Sequence, residues 1–169
     1  MRFFIELSYK GTNYHGWQVQ PNANTVQAEI NKALSLILNA KIEVSGAGRT
    51  DAGVHAKQMF AHFDWDKEFD FHTTIIKLNS FLANDIAVRS FFKVKDEVSS
   101  RFDALSRIYH YYIVQQKSPF KTTAYFVRKP LDVKQMNLAS QYLLGKQDFT
   151  SFSKANTQTF TNNCNYFSN

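Results

Sequence analysis

Apolar Phe3, Ile5, Leu7 and Tyr9 alternate with Arg2, Glu6 and Ser8, and this period of two predicts a half-buried strand that Gly11-Thr12-Asn13 ends. Asn24 and Thr25 are both good helix N-caps, and Val26, Ile30, Ala33, Leu34, Ile37 and Leu38 then recur at helical spacing. A helix of almost four turns is expected there. Ile42 and Val44 predict a short strand, residues 46 to 56 a loop, and Met59, Ala61, Phe63 and Trp65 a second alternating strand. The loop is therefore expected between two strands. A shorter helix is predicted around residues 73 to 82, from Ile75, Ile76, Leu78 and Leu82, followed by a strand in which Ile86, Val88, Ser90, Phe92 and Val94 alternate.

The resulting β-α-β-β-α-β order suggests an α+β sandwich of the ferredoxin-like kind. With no repeat, low-complexity tract or linker in the chain, a domain boundary must be placed from the change of pattern near residue 100. The expected division is 1–100 and 101–169. Beyond it, Tyr109, Tyr111 and Ile113 on one face and Ile108, Tyr112 and Val114 on the other predict a central strand over 107–114. Asp132 can cap a helix through Val133, Met136, Ala139 and Leu143 that stops at Gly145. The Asn/Thr-rich residues 155 to 169 begin a strand for which no later element remains, so the second domain is expected to be incomplete.

Composition narrows the class. Hydrophobic residues are 44% and charged residues 20% of the 169, which fits an ordinary globular chain rather than a disordered or membrane one. No apolar run approaches the roughly 20 residues of a membrane span, and Glu6 falls where a signal peptide's apolar stretch would continue. No membrane association and a cytoplasmic location are expected. The single cysteine, Cys164, excludes an internal disulfide, a Cys-X-X-Cys pair and a thiolate metal cluster, and is expected to be a small core residue.

The formal charge of +6 is unevenly spread. Residues 1 to 100 carry 11 basic and 11 acidic side chains, whereas 101 to 129 carry Arg101, Arg107, Lys117, Lys121, Arg128 and Lys129 against Asp103 alone. Clustered charge gathers polyanions, although a solvated basic face would read the same way.

Residues 45 to 56 read Ser-Gly-Ala-Gly-Arg-Thr-Asp-Ala-Gly-Val-His-Ala. A dinucleotide fingerprint starting at Gly46 would need glycine at 51, where Asp51 stands, and a phosphate loop from Gly48 fails because Val54 and His55 replace Lys and Ser/Thr. The glycines therefore serve Asp51. Two readings of that residue stand: a turn aspartate satisfied by backbone N–H groups, or a pre-positioned carboxylate, kept ionised by Arg49, that acts as nucleophile or base.

The run from Gly46 to Ala56 resembles the signature of the tRNA pseudouridine synthase A family. The resemblance extends to Tyr9-Lys-Gly-Thr, Gly16-Trp17-Gln18, Leu78-Asn79-Ser80, Asp85-Ile86, Arg101-Phe102-Asp103-Ala104, Arg107-Ile-Tyr109-His-Tyr111, Gly145 and Asp148-Phe149, covering residues 1 to about 153. It implies a pseudouridine synthase fold of two ferredoxin-like halves with antiparallel sheets, a basic cleft between them, and a homodimer gripping tRNA. It implies Asp51 as the catalytic residue and Tyr109 as the platform against the target base. Arg49 would hold Asp51 or take the flipped nucleotide's place, and Arg101 and Arg107 would contact phosphates. No metal or cofactor is implied, and the substrates would be uridines at about positions 38 to 40 of the anticodon arm, read by RNA shape. His55 is expected to be structural. The chain ends before the later segment that in the family carries an apolar-basic motif and a basic partner for the aspartate, so a fragment of reduced activity is expected. A non-catalytic RNA-binding module and a nucleosidase that releases uracil remain as rivals.

Overall fold

The computed structural model describes residues 1–153 and 163–166. Two compact units divide the chain, Met1–Ile108 and Tyr109–Asn169.

In the first unit, strand β1 (Arg2–Tyr9) is followed by helix α1 (Val26–Leu38), the short strand β2 (Ser45–Gly46), strand β3 (Ala56–Asp64), helix α2 (Phe71–Phe81) and strand β4 (Ile86–Val94). The sheet runs β2-β3-β1-β4 and every pairing in it is antiparallel. Strand β1 is thus central. Its residues 3, 5, 7 and 9 are buried and 2, 4, 6 and 8 half-buried, as the period of two requires. Full burial of each large apolar side chain stabilises by about 1.5–3 kcal/mol. The core includes Ile5, Leu7, Val26, Ile30, Leu34, Ala61, Phe63, Leu78 and Val88. Phe3, Phe63 and Phe91 belong to this core, and Phe69 and Phe71 pack against it. Phe69 packs against Phe3 and Phe71 at 5.0 Å and against Phe91 at 5.3 Å between ring centroids.

The two helices begin on side-chain caps. Thr25, wholly buried, accepts the Ala28 N–H, and Asn39 ends α1 in the left-handed conformation that Asn tolerates. Asp70 starts α2 two residues earlier than the apolar spacing indicates, accepting the His72 and Thr73 N–H groups. The strand expected at Ile42 and Val44 does not form. Both are buried, but their N–H groups donate to Ser35 Oγ at 2.8 Å and Asn31 Oδ1 at 2.9 Å on α1, and only Ser45 and Gly46 pair with β3. Side chains on the helix satisfy the backbone that a ladder would otherwise have satisfied.

In the second unit, β5 (Ile113–Val114) pairs with β6 (Tyr125–Phe126), α3 (Val133–Ser140) follows its Asp132 cap, and β7 (Gly145–Asp148) pairs antiparallel with β8 (Asn163–Tyr166). The β5–β6 pair is parallel, a departure from the all-antiparallel expectation. The central strand expected over 107–114 is reduced to its last two residues. A strand apolar on both faces needs a partner at each edge and packing above and below; among the described residues only β6 pairs with it. No hydrophobic side chain of this unit is buried among the described residues, and Tyr109 and Tyr111 are 80% and 75% exposed. Residues 154–162 and 167–169, which hold most of the Asn/Thr-rich stretch, lie outside the described residues, as does the Cys164 side chain and hence its expected place in a core.

Segments with few buried apolar contacts open at low free-energy cost. Limited proteolysis followed by mass spectrometry is expected to cut first after residue 108, leaving a species containing Met1–Ile108 that persists roughly ten-fold longer than the intact chain. Equal cutting within β1 to β4 would contradict the burial pattern.

Candidate active site

Asp51 lies in the connection between β2 and β3, which central β1 holds in place. Backbone pairing continues one residue past β2, where the Ala47 N–H donates to the Phe60 carbonyl at 2.9 Å. The register of β1 shifts against β3 between Leu7 and Tyr9 and against β4 between Glu6 and Leu7. Such irregularities re-aim a strand end, and here they lie where β1 runs into residues 10–17 beneath the loop.

Those residues hold the loop through backbone groups. The Gly53 N–H donates to the Tyr14 carbonyl at 3.1 Å, the Gly11 N–H donates to His55 Nδ1 at 2.9 Å, and Tyr9 Oη lies 3.3 Å from Thr50 Oγ1. A turn closes on Asp51 itself, whose carbonyl accepts the Val54 N–H at 3.3 Å, with Gly53 at φ +79°. Gly16 has φ +86°, and a Cβ there would strike the Thr50 carbonyl oxygen. His55 thus has a definite duty that the motif alone does not reveal, since its Nδ1 accepts from the backbone of the segment that supports the loop.

Asp51 is exposed, and among the described residues its carboxylate has no hydrogen-bond or ion-pair partner. The turn reading, in which backbone N–H groups satisfy the carboxylate, does not describe this geometry. Arg49 is exposed too, and no ion pair joins it to Asp51 among the described residues, so the expected ionic hold on the carboxylate is absent. Arg107 does clamp the loop. Its Nη2 donates to the carbonyls of Ala47 and Arg101, each at 2.7 Å, a role the sequence spacing of 60 residues conceals. The Arg101 guanidinium stands 5.2 Å from the centroid of the Phe102 ring. Asp51, Arg49, Arg101 and Arg107 therefore belong to the first unit, while Tyr109 belongs to the second, on irregular backbone ahead of β5.

A cavity of about 270 Å³ opens in the first unit, lined among others by Trp17, Gln27, Arg49, His62, Arg101 and Phe102. Buried Ser100 closes one side of the group around His62: its N–H donates to His62 Nδ1 at 3.2 Å, and its Oγ, 2.8 Å from that nitrogen, donates to the Ser45 carbonyl at 2.9 Å. Arg2 ties the residues just before Ser100 to the sheet by donating to both Asp64 oxygens at 2.8 Å and to the Val98 carbonyl at 3.0 Å. Among the described residues no group of three or more His, Cys, Asp or Glu side chains could hold a metal ion, and no helix is long and apolar enough to cross a membrane.

Gly16→Ala is expected to lose at least about 1–2 kcal/mol from the left-handed backbone alone, read as a lower urea midpoint, with the Thr50 carbonyl pushed away. Burial, and secondarily the Arg2 charge, push His62 below its ordinary value, so the unfolded chain binds this proton more tightly than the folded one. Stability is therefore present above about pH 6.5 and falls as pH drops from there toward the folded value. His62→Asn keeps an acceptor without titrating, and its thermal midpoint is expected to fall less than the parent's between about pH 7.5 and 5.5.

Comparison with known proteins places this geometry in a family. A family model described as tRNA pseudouridine synthase matches residues 7–103, which include the whole Asp51 loop. A tRNA pseudouridine synthase A of Bacteroides thetaiotaomicron is 50% identical over 164 residues, 96% of this chain and 61% of that protein. Its namesakes from Azobacteroides pseudotrichonymphae and Haemophilus ducreyi are 47% and 41% identical, with 66% and 63% of their lengths covered. The chain thus spans 61% to 66% of the length of these relatives. With more than half of its residues inside the matched model and an α+β fold of mainly antiparallel strands, the chain belongs to the tRNA pseudouridine synthase family.

Proposed function

We propose that this chain isomerises uridine to pseudouridine in tRNA, with Asp51 as the nucleophile. The observation that carries the reading is a carboxylate without a side-chain partner among the described residues, on a loop whose backbone is held by the 10–17 segment, inside the matched region. Uridine loses its N1–C1′ bond, the detached base turns, and a C5–C1′ bond forms while the C5 proton moves to N1, so no atom is gained or lost. One carboxylate serves this, attacking C1′ or the ring and then collecting the C5 proton. The paired acids of glycoside hydrolysis have no task here, and no cofactor is needed.

A uridine stacked in an RNA helix hides both reacting carbons, so the base must flip out at a cost of roughly a few kcal/mol. Stacking on Tyr109, at roughly 1–3 kcal/mol per base, offsets that cost. Arg49, free of Asp51, takes the place the base vacates, and Arg101 and Arg107 contact phosphates. The target uridines lie in the anticodon arm at about positions 38 to 40, recognised by shape, in a cytoplasmic homodimer that grips one tRNA. The β-α-β-β-α-β order and sheet order of the first unit support a ferredoxin-like half. A second such half, incomplete over 101–169, fits the lack of buried apolar side chains among its described residues. For that reason the 169 residues are assigned reduced activity.

The test is incubation with an unmodified tRNA tritiated at C5 of its uridines, counting tritium released to water. Slow release is expected, below that of a full-length relative assayed beside it, and Asp51→Ala is expected to reduce it by at least about 10³-fold, the scale of losing a catalytic group. Release that persists in Asp51→Ala would sink the assignment. Bound tRNA with no release would favour an RNA-binding module, and free uracil a nucleosidase.

A further inference from the structure

Asp85 sits in the turn between α2 and β4, and no hydrogen bond joins it to the Asp51 loop among the described residues. It nevertheless holds both ends of the turn beneath that loop. Its carboxylate accepts from Tyr14 Oη at 2.6 Å and from Asn13 Nδ2 at 3.2 Å, and its carbonyl accepts the Lys10 N–H at 2.8 Å. The turn closes on itself where the Tyr14 N–H donates to the Gly11 carbonyl at 3.0 Å. From the same two residues come the bonds to the loop, Gly11 N–H to His55 Nδ1 and Tyr14 carbonyl from Gly53 N–H.

We propose that Tyr14 and Asp85 are positioning residues for Asp51, acting through the turn at residues 10–14. The proposal rests on the reading of Asp51 as the reacting carboxylate. Three hydrogen bonds enter this turn from Asp85 and two leave it for the loop, one on residue 53 and one on residue 55. A carboxylate without side-chain partners is aimed only by its backbone, so movement of Gly53 is movement of Asp51. The Tyr14 ring is buried, which fixes its Cα between the hydroxyl anchor and the carbonyl that Gly53 uses. Burial, with the bond to Asp85, keeps the phenol well above its ordinary value, so it remains a donor throughout the neutral range. Removal of either anchor leaves the ring free to rotate and the carbonyl free to follow it.

The experiment compares Tyr14→Phe, Asp85→Ala and Asp85→Asn in the full chain by amide hydrogen exchange, using the β1 amides of residues 3 to 7 as the reference for global opening. Tyr14→Phe and Asp85→Ala are expected to speed Gly53 exchange about ten-fold relative to those amides, and to slow Asp51-dependent tritium release about ten-fold. Asp85→Asn keeps an acceptor oxygen for Tyr14 and is expected to return both readouts to within about three-fold of the parent. Gly53 exchange that stays level with the β1 amides in Tyr14→Phe, or an Asp85→Asn variant as impaired as Asp85→Ala, would overturn the proposal. Failure of the underlying reading shows elsewhere, as tritium release that ignores Asp51→Ala, while Gly53 exchange still decides whether the turn holds the loop.

Discussion

The arrangement depends on one constraint: the backbone of the Asp51 loop must be held from below, because nothing among the described residues holds the Asp51 side chain. A carboxylate paired with a guanidinium is positioned by its partner, whereas this one is positioned by the Gly53 N–H on the Tyr14 carbonyl and the Gly11 N–H on His55. Close approach of two backbones makes this workable, with a glycine at 16 where a side chain would collide with Thr50. An unpaired, exposed carboxylate retains its lone pairs for a substrate. A backbone-held loop keeps its direction without spending them.

The rest of the first unit can be followed outward from that contact. The 10–17 segment is itself fixed at both ends. Its start leaves β1, the central strand, at the register shifts near Leu7, and its end supplies the Gly16 and Trp17 carbonyls to the first N–H groups of α1, at 3.3 and 3.0 Å. These donors have no partner within the helix, so the segment caps α1 while it supports the loop. Helix α1 in turn bonds the backbone of residues 42 and 44 through Ser35 and Asn31 and so delivers the chain to β2. Core packing, helix capping and loop geometry are thus one set of contacts.

The second unit contrasts with this. Its local elements form, each with a local cause such as the Asp132 cap or the positive φ of Gly145, yet none of its described apolar side chains is buried. Local hydrogen bonding is sufficient for a turn or a short helix, whereas a core needs apolar faces from several elements at once. The basic excess of residues 101 to 129 begins on the first unit, at Arg101 and Arg107, and continues on the second.

What the sequence determined by itself was whatever depends on neighbours a few residues apart. The alternation of β1 and β3, the helical spacing of α1 with Thr25 as its cap, and the placement of a glycine-rich loop between strands are local properties of the chain, and the Asp51 motif could be read letter by letter, whereas β4 keeps its expected alternation only through Val88, with Phe91 buried and Phe92 exposed. Only the tertiary structure decided which distant group satisfies which backbone atom. Ile42 and Val44 look like a strand but bond to helix side chains; residues 107–112 alternate like a strand but join no sheet among the described residues. Arg107 reaches back to Ala47, and Asp85 reaches Tyr14 across 71 residues. Periodicity records which face of an element is apolar, and it carries no record of the hydrogen-bond partner that folding brings to that face.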